Sequence, residues 1–265
     1  MSHTGRIAAA LLGLLAAVSG EAKVNERTLP YAAGDTTCQG FLAYDDAVAG
    51  PRPGVMVVHD WLGLGEFARA RCRELAAMGY VALAADMYGD GKLATDPAGG
   101  SALAGALYAN PALMRGRAAA ALAALKAQPG VDPKRVAAIG YCFGGSTVLQ
   151  LAYSGADLAG VVSFHGGLKP PEGDDLGRIK AKILILHGAA DPHVKPDAVQ
   201  ATLDGLTAAH ADWQFVAYAN AVHAFTNPAA GNDPSRGAAY NANAARRSWI
   251  AMQSFFAELF NPPAA

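Results

Sequence analysis

The apolar residues of this chain fall into short runs separated by stretches of helical length. In "GVMVVHD" the run Val55–Val58 has no polar interruption, the pattern of a strand covered on both faces within a parallel sheet. "YVALAADMYGDG" reads as a second buried strand with its exit loop, and "RVAAIGY", "AGVVSFHG", "AKILILHG" and "WQFVAYA" supply four more. Two earlier strands, near Asn25–Leu29 and Thr36–Tyr44, flank the turn "AAGD". Helices are predicted over Glu66–Met78, with Gly79 at the C-cap, and over Ala112–Ala127, stopped by Pro129 and Gly130. Further helices are predicted over Gly144–Tyr153, Pro196–Ala208 and Ala239–Leu259, with Pro262 and Pro263 ending the order. Asp90–Gly100 reads as a polar loop containing glycine and proline. This alternation predicts the α/β class: a mostly parallel central sheet with helices on both faces, in one domain over residues 23–265.

Composition narrows the partners. The 265 residues are 52% hydrophobic and 16% charged, which is a globular balance with a large core. The net charge of -1 leaves no basic field for nucleic acid, so the expected ligand is a small molecule and the expected state a monomer. At the N-terminus, Arg6 precedes the apolar run Ile7–Val18, and small residues follow in "SGEA". This is the pattern of an export signal, residues 1–22, cleaved after Gly20 or Ala22. The run is too short to span a bilayer. The expected location is periplasmic or secreted if the signal is cleaved, and cytoplasmic otherwise. The three cysteines, Cys38, Cys72 and Cys142, follow no spacing pattern of a disulfide framework or a zinc knuckle. Three free thiols are preferred over a Cys38–Cys72 bridge, and no metal or other cofactor is expected.

One motif carries chemistry. Gly140-Tyr141-Cys142-Phe143-Gly144 is the G-x-S-x-G pattern with cysteine in the central place, after a buried strand and before a helix. A nucleophile on so sharp a turn has backbone close on both sides, which selects glycine two positions before and two after. The N-terminus of the helix favours thiolate and an oxyanion beside it. The Phe143 N–H is the natural oxyanion donor, with Trp61 as the second. Read alone, the match fits a small buried thiol among packing glycines equally well. The partners decide. Asp191 follows the strand in "ILILHGAADPHV" and His223 follows "FVAYANAVHAF", 49 and 32 residues further along in turn. The order nucleophile, acid, histidine is that of the scaffold, and all three lie at strand C-terminal ends. Asp60, Tyr88 and His193 are assigned to the pocket or to the thiol itself, and His165 and His187 are read as supporting groups at strand ends.

At these residues the sequence resembles the dienelactone hydrolase family of α/β-hydrolases. The motifs are "VMVVHDWLGLGEFARARCRELAAMGYVALAADMYGDG", "IGYCFGG", "LHGAADPHV" and "VHAFTNP", over about Val24–Phe260. The resemblance implies the α/β-hydrolase fold, a Cys142–Asp191–His223 triad, and hydrolysis of a lactone or ester through a thioester. It also implies a carboxylate partner for the resting thiol at Asp60, where the best-studied branch has the longer glutamate. That branch holds its substrate carboxylate with two arginines, and the matching places here hold Asp90, Thr226 and Asn227. An anionic dienelactone substrate is therefore not expected. Fold alone does not establish catalysis, so a protein that binds or senses small lactones without hydrolysing them is the alternative.

Overall fold

The structure, a computed structural model, describes residues 23–261. The expected signal, residues 1–22, and the terminal prolines lie outside the described residues. Eight strands build one sheet: β1 (Val24–Ala33), β2 (Thr36–Asp45), β3 (Arg52–Val58), β4 (Val81–Ala85), β5 (Val131–Tyr141), β6 (Gly160–Phe164), β7 (Lys182–Gly188) and β8 (Trp213–Tyr218). Their spatial order is β1-β2-β4-β3-β5-β6-β7-β8. The first two strand pairings, β1 with β2 and β2 with β4, are antiparallel, and every later pairing is parallel. Six helices intervene: α1 (Glu66–Ala77), α2 (Pro97–Tyr108), α3 (Pro111–Lys126), α4 (Phe143–Tyr153), α5 (Pro196–Ala208) and α6 (Ala242–Phe260). This is the α/β-hydrolase arrangement, with the strand C-terminal ends gathered along one edge.

The uninterrupted apolar runs resolve into two interleaved patterns of period two. Met56 and Val58 of β3 belong to one core layer that also holds Met114, Val148 and Leu206 of α3, α4 and α5. Val55 and Val57 belong to the opposite core layer, which also holds Leu75 of α1 and Met252 and Phe256 of α6. Each such side chain contributes about 1.5–3 kcal/mol of burial free energy. The two cores clamp the strands from opposite sides, which fixes where each strand delivers its exit loop.

Helix α2 was not predicted. Its sequence, "PAGGSALAGALY", has two glycines in its first turn and no stripe, so no apolar period marks it. What starts it is local: Asp96 accepts the Gly99 N–H at 2.7 Å, and Pro97 takes the first helical position. The last helix begins at Ala242 rather than Ala239, because Asn241 caps it by accepting the Ala244 N–H at 3.0 Å. Cys38 and Cys72 are free and buried, as preferred. Among the described residues no helix is long and apolar enough to cross a membrane.

Candidate functional site

The turn from β5 to α4 forces Cys142 into φ 55°, ψ −115°, which a residue with a side chain adopts only under strain. Backbone proximity holds it there. A methyl group added at Gly140 would lie 2.0 Å from the Gly144 carbonyl oxygen, and one at Gly144 would lie 2.2 Å from that of Val58. Both glycines of the motif are thus required by space. The thiol is partly exposed at the N-terminus of α4, while Cys38 and Cys72 are sealed off.

Two later loops close on this corner. Asp191, after β7, is buried, and its Oδ2 accepts a hydrogen bond from His223 Nδ1 at 2.8 Å. The other oxygen, Oδ1, accepts the His193 N–H at 2.8 Å, which fixes the carboxylate plane. His223, after β8, turns its ring toward Cys142. Burial opposes a charge on this ring, but the hydrogen bond to the Asp191 carboxylate and the nearby Cys142 sulfur outweigh it and push the pKa up to about 10. For Asp191 burial works toward the neutral acid, yet the bond from His223 prevails and holds the carboxyl below its ordinary range. The His223 backbone is pinned as well: its N–H donates to Gly237 O at 3.2 Å, and its carbonyl accepts the Ala239 N–H at 3.0 Å.

His165 ties these loops together. It directly follows β6, is buried, and accepts on Nδ1, at 3.1 Å, the Cys142 N–H that also donates to the Phe164 carbonyl at 3.0 Å. That leaves the proton on Nε2, which donates to Thr226 Oγ1 at 2.7 Å. Burial first, and then neighbouring His223, keep this ring neutral, well below the ordinary pKa. Through His165 the nucleophile corner is bonded to the loop that carries His223.

The loop after β3 supplies the facing wall. Among the described residues the Phe143 and Trp61 N–H groups have no acceptor. Trp61 is held from below, where its carbonyl accepts the Tyr88 hydroxyl at 2.8 Å. His59 is buried in the same loop, accepts the Met87 N–H on Nε2 at 3.3 Å, and stacks on Phe143 with ring centroids 5.8 Å apart.

A cavity of about 540 Å3 opens over the sulfur. Of the residues expected there, Asp60, Trp61, Cys142, His193 and His223 line it. Asp60 also accepts the Leu62 N–H on Oδ1 at 2.9 Å, which orients the carboxylate. The His193 ring meets the His223 ring edge-on, with centroids 5.2 Å apart. Tyr88 is the correction: it does not line the cavity but lies buried beneath the Trp61 loop, because its hydroxyl is spent on that loop's carbonyl. A second correction concerns charge. Asn227 lines the cavity without a cation, but exposed Arg236, from a later turn, lines it too. Nothing in the sequence places Arg236 there. It arrives because Gly237 and Ala239 pair with His223.

A family model described as "Dienelactone hydrolase family" matches residues 38–260. A solved structure described as a dienelactone hydrolase-like promiscuous phosphotriesterase from metagenomic libraries is 46% identical. The match covers 90% of this chain and 99% of that one, with a TM-score of 0.87. A protein of Methylorubrum extorquens named "Putative carboxymethylenebutenolidase" is 31% identical over 79% of this chain and 73% of its own length. An uncharacterized protein of Caenorhabditis elegans is 38% identical over 56% of this chain and 94% of its own.

Proposed function

The chain belongs to the dienelactone hydrolase family, and from that premise we propose that it hydrolyses small carboxylic esters or lactones with Cys142 as nucleophile, His223 as base and acid, and Asp191 as the group that orients His223. The observation that carries this reading is the Asp191–His223 hydrogen bond, with the His223 ring and Cys142 facing one cavity at a strained strand-to-helix corner.

In the proposed cycle the sulfur of Cys142, its proton held by His223, attacks the carbonyl carbon of the substrate. The C=O pair moves onto oxygen, where the N–H groups of Phe143 and Trp61 stabilise it. Collapse breaks the C–O bond to the leaving alcohol, which takes the His223 proton, and a thioester remains on Cys142. Water then attacks the thioester carbonyl, giving a proton to His223. The second collapse expels the sulfur, which stays paired with the imidazolium, and releases the acid. Asp191 keeps the Nδ1 proton in place throughout, and Arg236 stands where an anionic substituent of the substrate would meet a cation.

The test is a panel of aryl esters and lactones, with phosphotriesters added because a similar protein is described as a phosphotriesterase. Turnover by the wild type should fall at least about a thousandfold in Cys142→Ala. In wild type quenched with acid, intact mass should rise by one acyl group. Equal turnover by both proteins sinks the proposal. Lactone binding without any turnover favours the sensing alternative.

A further inference from the structure

Beside the Cys142 cavity lies a second one of about 540 Å3, within the range of small-molecule sites. The two share one residue, His193, which stands as the wall between them. Ser146, one turn along α4 from Cys142, lines the second cavity, and its N–H donates to the Cys142 carbonyl at 3.2 Å. The chemistry of the second cavity differs from that of the first. Its apolar lining includes the buried side chains of Met114, Leu149, Leu168 and Val194. The cavity opens to solvent above these buried apolar groups, so the apolar body of a bound ligand would cover them.

The polar lining is mostly committed. The Tyr108 hydroxyl donates to Ser146 Oγ at 3.2 Å, and Ser146 Oγ donates to Gly167 O at 3.0 Å. Arg115 grips both oxygens of Asp175, at 2.9 and 2.5 Å, and also Gln150 Oε1. That neutral cluster is a rigid wall. What remains uncommitted is Lys169 and Lys195, both exposed and in no ion pair among the described residues, against the single carboxylate of Glu172. The free charge of the lining is therefore positive.

We propose that this cavity is a separate ligand site for an amphipathic monocarboxylate, whose apolar body lies among Met114, Leu149, Leu168 and Val194 and whose carboxylate meets Lys169 and Lys195. The assignment does not depend on which bond Cys142 attacks.

The test uses full-length protein carrying Cys142→Ala, so that no turnover intervenes, titrated calorimetrically with decanoate and, in parallel, with 1-decanol. Saturable one-to-one binding of decanoate is expected. Adding Lys169→Met and Lys195→Met should weaken decanoate about tenfold at low salt, from two partly screened charge contacts, and leave decanol unchanged. Ala198→Trp, which projects into the cavity, should abolish both, and Arg236→Met, in the other cavity, should change neither. A Met114 methyl resonance that shifts on adding decanoate, while that of buried Met56 does not, places the ligand without relying on the tryptophan variant. The proposal is overturned by no saturable binding, by unchanged affinity in the double lysine variant, or by a still Met114 methyl. It is also overturned if binding survives Ala198→Trp and is lost in Arg236→Met.

Discussion

At the scale of single residues, the corner around Cys142 is limited by contacts that side chains cannot relieve. The obstacles at Gly140 and Gly144 are backbone atoms, so room for a methyl group requires moving β3 or α4. Gly144→Ala should therefore lower the unfolding free energy by about 3 kcal/mol, read from the urea midpoint. Thr226 lies three residues past His223 within "VHAFTNP", and it accepts the Nε2 proton of the His165 ring. Thr226→Val leaves that N–H buried and unpaired, at a cost of about 1–3 kcal/mol. Because His165 also holds the Cys142 amide, kcat should drop at least about tenfold while KM changes little, and Thr226→Ser should restore it. Unchanged kcat in the valine variant would falsify the bridge. Among the cysteines, burial pushes the Cys38 and Cys72 thiols up, and both are inaccessible, whereas Cys142 is partly exposed. Iodoacetamide at neutral pH should label Cys142 first, and peptide mapping that finds Cys38 or Cys72 modified earlier contradicts this.

At the scale of elements, what was legible depended on whether the signal lay in a pattern or in a contact. The parallel strands were legible because burial on both faces writes continuous apolar runs such as Val55–Val58. Cys142 could be placed from the sequence because it follows the buried run of β5 directly, whereas Asp191 and His223 lie three and five residues past the ends of β7 and β8 and were placed by their order along the chain. Helix α2 was not, since glycines in its first turn and the absence of a stripe hide it, and only Asp96 and Pro97 mark its start. Arg236 and the second cavity were not legible either. Arg236 depends on where a late loop settles, through bonds of His223 with Gly237 and Ala239 that leave no trace in local sequence, and the second cavity depends on how α3, α4, α5 and the loops after β6 and β7 meet. The start of α6 rests on one side chain. Asn241→Ala should cost about 1 kcal/mol, measurable as a shift of the thermal midpoint.

At the scale of the whole molecule, the site makes stability depend on pH in a defined direction. His223 is raised from 6.5 to about 10, so its contribution is fully present below about pH 6.5 and is lost as pH rises through about 10. Asp191 is lowered from 3.8, so its contribution is present above that value and is lost as pH falls through the folded pKa. Unfolding free energies measured between pH 6.5 and 10 should therefore decline more steeply for the wild type than for His223→Gln. Parallel curves would show that the imidazolium is not stabilised by the fold.

The strand order also sets a sequence of events in time. Cys142 leaves the ribosome 81 residues ahead of His223, and the loop carrying His223 has no fixed position until β8 docks on β7 at the end of the sheet. For those 81 residues of synthesis the chain therefore carries the Cys142 thiol without His223 beside it. The Asp191–His223 pair beside Cys142 is among the last features to come into being, when nearly all of the molecule around it has already been made.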